Sequence, residues 1–145
     1  MANTLIPDAL PVGPDAQLWA AQTESRVTLP GRDDAFAVPS GQGVTLQEVI
    51  VDQPSAGAAI YRFRFLAPAI ARIGGTMDFE GSVGDMQHLC AGYAVQQIMA
   101  PLPAASQVII AFSDMPLPFG ETNPEATQFF MAFSLVDGLC VLEPY

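Results

Sequence analysis

The sequence predicts an α+β domain: an antiparallel sheet of about five strands, one main helix packed on one face, and a Pro-rich N-terminal arm. Three observations predict it. Several short stretches alternate apolar and polar residues, as half-buried strands do. One stretch, Asp78–Met99, repeats apolar residues at helical spacing. The chain closes on Ala126–Glu143, two alternating runs joined by Asp137-Gly138, a two-residue turn that suits the twist of a β-hairpin. The expected organisation is an extended arm over residues 1–40 and the α+β domain over 41–145.

The arm carries Pro7, Pro11, Pro14, Pro30 and Pro39. Its one helix-compatible piece, Asp15–Ser25, holds Leu18 and Trp19. A single Trp in a polar leader gains from burial, which makes Leu18 and Trp19 candidate partner contacts. The plainer reading is a flexible leader. Gly43–Asp52 reads as a strand, Gln53–Gly57 as a turn and Ala58–Leu66 as a second strand. In the second strand Tyr61, Phe63 and Phe65 take one face and Arg62 and Arg64 the other. The two strands form a first hairpin, with the arginines on its wet face and within reach of Glu48 or Asp52. Arginines at alternate positions can clamp an anion or a partner carboxylate, although a solvated strand face commonly carries them anyway.

Pro68 and Gly74-Gly75 break the strand around one helical turn at Pro68–Arg72. The helix follows, with Phe79, Val83, Met86, Cys90 and Tyr93 at spacings of four, three, four and three. Gly81 and Gly84 weaken its first turns, so ordered helix is expected from about Ser82, where Ser82 and Asp85 match a capping box. Pro101 and Pro103 end it. Ser106–Ser113 is an apolar strand, and Asp114–Pro124 a turn-rich loop. In the closing hairpin Val136 opposes Leu139 and Leu135 opposes Cys140. Phe129, Met131, Phe133 and Leu135 then share a core face with Cys140 and Leu142. The opposite face is also fairly apolar, and Phe130 on it is a candidate partner contact.

Composition narrows the function classes. A chain of 145 residues fits one domain, and at this size folding buries about 68% of the unfolded surface. Half of the residues are hydrophobic and 14% are charged, against roughly 25% charged in an average domain. Mean hydropathy is +0.32, which predicts apolar surface left over for a partner. No run of about 20 apolar residues occurs, so direct membrane insertion is not expected. The start has neither a basic n-region nor an apolar h-region and is not a signal peptide as written. Net charge is −10, lysine is absent, and the cations are Arg26, Arg32, Arg62, Arg64 and Arg72. So few scattered cations argue against nucleic acid and against an anionic membrane surface.

Cys90 lies on the helix stripe and Cys140 on the core face of the hairpin. If those faces pack together the two can meet. Two cysteines permit one disulfide and prove none; reduced core thiols and a redox couple remain as readings.

Four stretches carry a family resemblance: VPSGQGVTLQEVI (Val38–Ile50), RFRFLAPAIARIGGTMDFE (Arg62–Glu80), DMQHLCAGYAV (Asp85–Val95) and PEATQFFMAFSLVDGLCVLEPY (Pro124–Tyr145). Over roughly Val38 to Tyr145 the chain resembles a small alphaproteobacterial envelope family of unknown function, whose members are sometimes labelled acetolactate synthase without a motif to support that name. Members usually carry a signal peptide. The resemblance therefore implies export, to the periplasm or beyond, and an oxidised Cys90–Cys140 pair; cytoplasmic residence is the alternative. It brings no activity.

No stretch specifies a reaction. His88, the single histidine, lies one turn from Asp85, but the spacing matches no zinc signature, so no metal is expected. Ser82, Asp85 and His88 share one helix, and Gly81-Ser82-Val83-Gly84 is not a nucleophile elbow. Asp114 with Glu121, and Asp78 with Glu80, read as solvation or caps rather than as acid and base. Gly74-Gly75 lacks the lysine of a phosphate loop. No cofactor and no catalytic residue is expected. The expected function is a non-catalytic protein-interaction module, an accessory subunit of an envelope-associated complex whose partner is another protein. One alternative is a binder of small apolar ligands between helix and sheet, lined by Phe63, Phe65, Met86, Tyr93, Phe129 and Phe133. A small enzyme is the third.

Overall fold

A computed structural model describes residues 25–55, 58–99 and 102–143. Six strands form a single sheet in chain order: β1 (Ser25–Arg32), β2 (Thr45–Ser55), β3 (Ala58–Leu66), β4 (Ala105–Ser113), β5 (Gln128–Val136) and β6 (Leu139–Leu142). The α+β class and the single main helix are as expected, with one strand more.

The extra strand is β1, inside the stretch expected to be arm. It pairs antiparallel with β2, Val27 opposite Val51 and Leu29 opposite Val49. Pro30-Gly31 reads locally as a breaker. At a sheet edge, however, a missing N–H is tolerated, and a Cβ on Gly31 would lie 2.0 Å from Leu46 O, closer than any side chain can come. The helix-compatible piece at Asp15–Ser25 falls, but for Ser25, outside the described residues.

β2 and β3 form the predicted hairpin, with Val49 opposite Phe63 and Val51 opposite Tyr61. Alternation buries Tyr61, Phe63 and Phe65, each 1% exposed. The sheet is not wholly antiparallel: β3 and β4 run parallel, Phe63 beside Ile110. Parallel neighbours need a crossover, and the chain between them supplies the helix, returning β4 to the end where β3 began.

That crossover opens with a 3₁₀ turn, Pro68–Ile70, followed by α1 (Phe79–Leu89). The helix starts earlier than expected. Asp78 caps it, its Oδ1 accepting from Gly81 N at 2.7 Å, a carboxylate answering an otherwise unpaired first-turn amide. Ser82 is therefore not the cap; it is buried inside the helix. A π-helical turn, Cys90–Ala94, interrupts the rod, and one α-turn, Val95–Gln97, ends it two residues before Met99. The bulge keeps Cys90 and Ala94 both fully buried.

The core lies between this helical segment and one face of the sheet. Phe36, from the chain entering β2, meets Phe65 and Tyr93 edge-on at 5.4 and 4.8 Å. Tyr61 donates to Pro103 O at 2.6 Å, and burial pushes its hydroxyl pKa up, so it stays protonated. The closing hairpin has the predicted register, Val136 opposite Leu139 and Leu135 opposite Cys140. Both turn residues take positive φ, Asp137 at 54° and Gly138 at 77°, matching the primed turn that strand twist favours. Cys140 is bonded to Cys90 at 2.04 Å, fastening the edge strand to the helix.

Candidate functional site

The helix leaves one face of the sheet uncovered, and that face divides into two halves. On the β1–β3 half, register places Arg26, Glu48, Ile50, Asp52, Arg62 and Arg64 together. Asp52 accepts from Arg26 Nε at 2.5 Å and Nη2 at 2.9 Å, and from Arg62 at 2.5 Å. Arg64 pairs with Glu48 and donates to Leu117 O at 2.9 Å. The loop between β4 and β5 then lays Phe119 over the guanidinium groups of Arg26, Arg62 and Arg64, at 5.1, 5.4 and 5.4 Å from its centroid. Arg62 and Arg64 thus meet the acids the sequence pointed to, Arg62 through Nη1 and Arg64 through Nη1, with Arg64 Nη2 on Leu117 O. The role of Phe119 has no local signal: it sits in a Pro-rich loop more than 50 residues from each of the three arginines.

The Arg26 hydrogen bond, together with that from Arg62, holds the Asp52 carboxyl below its usual 3.8, against the opposing effect of burial. A carboxyl whose pKa is lowered on folding contributes stability above its unfolded pKa and loses it as pH falls through the folded value. Urea unfolding of wild type and Asp52→Asn is therefore expected to show a constant stability gap from neutral pH to about 5, closing below about 4. A gap that persists unchanged at pH 2 would contradict the linkage.

The β5–β6 half is apolar. Nine large apolar side chains are conspicuously exposed among the described residues, and five belong to this hairpin: Phe130, Val136, Leu139, Val141 and Leu142. Leu139 is 67% exposed and Phe130 56%. Alternation sets Phe130, Val136, Leu139 and Val141 on the helix-free face. Between them Glu143 accepts from Gln107 Nε2 at 2.6 Å and Ser134 Oγ at 2.8 Å. No cationic residue follows Arg72 in the chain, so the second half of the sequence carries acids alone.

The remaining candidates are dispersed. Asp85 is buried and accepts from Ser40 N at 2.9 Å, Ser40 Oγ at 2.5 Å and Gln42 Nε2 at 2.8 Å. Gln42 Nε2 also donates to Ser82 Oγ at 3.2 Å. Ser82 and Asp85 thus hold the 38–44 turn to the helix, while His88 is exposed. No group of three His, Cys, Asp or Glu side chains converges as a metal site among the described residues. Phe63, Phe65, Met86 and Phe133 are packed in the core. Leu18 and Trp19 lie outside the described residues. No helix among the described residues is long and apolar enough to cross a membrane.

One family model matches residues 13–145, described as a family of unknown function (DUF6497). No curated protein and no solved structure matches.

Proposed function

Because the chain belongs to DUF6497, a family of unknown function that passes on no activity, we propose its role from its own surfaces: a non-catalytic protein-interaction module that docks through the β5–β6 hairpin. One observation carries this reading. Exposed apolar side chains gather on the uncovered face of that hairpin, whereas the other half of the face is closed by ion pairs and Phe119. Clustered apolar surface rimmed by polar groups marks a docking site more often than chance exposure does. The rim is acidic, with Asp137 and Glu143, so the fitting partner is a protein with an apolar, basic surface. The Cys90–Cys140 bond supports residence in an oxidising compartment, the periplasm or another exported location, where an accessory subunit of an envelope complex would work.

Photo-crosslinking tests this. A photoreactive residue at Leu139 is expected to give a discrete protein adduct in native cells. The same residue at exposed Gln87, on the helix, is expected to give none. Phe130→Asp should remove the Leu139 adduct. Equal yields at the two positions, or an adduct indifferent to Phe130→Asp, would sink the reading.

A further inference from the structure

β6 covers only part of β5. It pairs with Phe133–Val136, and Glu143 N then donates to Ala132 O at 2.9 Å. Beyond that bond, no strand among the described residues follows β5 toward its start. In an antiparallel ladder, alternate residues turn their main-chain groups to the same side. Ala132 faces β6. Thr127 faces the other way, its carbonyl accepting from Asp114 N at 3.1 Å. Phe130 and Gln128 therefore present N–H and C=O to the open side. That is an unfilled hydrogen-bonding edge, which a second chain can complete.

A cleft adjoins this edge. It measures about 840 Å³ and runs between the start of β5 and the segment leading into α1, with Ile70, Met77, Asp78, Thr127 and Phe129 among its walls. Thr127 Oγ1, on the wall, is buried without a partner. The one guanidinium there, Arg72, donates to Pro124 O at 2.6 Å. Asp78 and the neighbouring Glu125 are exposed. The space suits several side chains, and its entrance is acidic.

Building on the interaction role above, we infer that the open edge of β5 at Gln128–Phe130 takes up an extended, cationic peptide segment of a partner protein as an added strand. Main-chain bonds to Gln128 and Phe130 supply the affinity, and alternate apolar side chains of the peptide enter the cleft. The intervening basic side chains point to the helix-free face, where Glu143 stands beside the exposed apolar residues and no Lys or Arg follows Arg72 in the chain. A second copy of this chain is a poorer occupant, since each carries a net charge of −10.

The test uses the whole 145-residue chain and a fluorescein-labelled peptide of ~8 residues alternating valine and lysine. Saturable binding is expected by anisotropy, weakening as salt rises, with amide shifts at Gln128 and Phe130. N-methylation of alternate peptide nitrogens, which removes main-chain donors and leaves charge, should weaken binding by about tenfold or more. Gln128→Pro should do the same, because that N–H faces the open side and not β4. Equal affinity for the N-methylated peptide would overturn the proposal even if Gln128→Pro fails to fold. So would shifts confined to the Arg62–Phe119 face, or no saturation at millimolar peptide. In the last case a persistent Leu139 adduct would leave the interaction role standing while removing strand addition.

Discussion

Removing the disulfide with Cys90→Ala/Cys140→Ala is expected to lower the unfolding free energy by about 4 kcal/mol and the melting temperature by about 10–15 °C. The bond closes a separation of 50 residues, and in the chain-entropy view its loss frees that loop in the unfolded ensemble. The folded side matters as well. β6 has four residues, lies at the sheet edge and pairs only with β5. Cys140 ties it to a buried residue of the π-turn. Urea unfolding of the double variant measures the loss, and amide exchange should quicken first at Leu139–Leu142. A change below about 1 kcal/mol would mean that the unfolded chain keeps this loop closed by other contacts. Native protein should show no free thiol, and two free thiols would remove the support for export.

Asp85→Ala is expected to cost about 2–4 kcal/mol. The carboxyl is 1% exposed and receives three hydrogen bonds from Ser40 and Gln42. Without it the buried Gln42 amide keeps only Ser82 Oγ, and Gln42 Oε1 already lacks a partner. The Ser40 donors lie nearer solvent and can turn to water, which limits the loss. The change should show as a lower urea midpoint and as faster amide exchange over residues 38–44, with the helix amides less affected. If those residues keep wild-type protection, the turn is held by Phe36 packing instead.

How far each feature was legible follows from how local its cause is. The Asp137-Gly138 turn, the alternation of Tyr61, Phe63 and Phe65, and the stripe running through Met86 and Cys90 each arise from neighbours in the chain. Their periods could be read directly. A local reading cannot choose the cap, because both Ser82 and Asp78 are competent by type; Asp78 Oδ1 takes Gly81 N, while Ser82 is buried and bonded to Gln42. β1 is hidden in a stretch whose prolines read as an arm, and Pro30-Gly31 would break a strand in isolation. Opposite Leu46 and Gln47 the glycine is the residue that fits. The apolar outer face of the hairpin was legible, Phe130 included. The cleft and the open edge were not, since they depend on how far β6 runs beside β5.

By itself the sequence determined the class of fold, the closing hairpin and its register, the helix stripe, and two cysteines set on faces able to meet. These rest on side-chain periodicity and turn stereochemistry, which act over a few residues. The tertiary structure alone decided the parallel join of β3 to β4, the sixth strand, the seat of Phe119 over three arginines and the uncovered stretch of β5. Each brings together residues tens of positions apart, and what settles such contacts is the shape and burial offered by the partner, which no local pattern records.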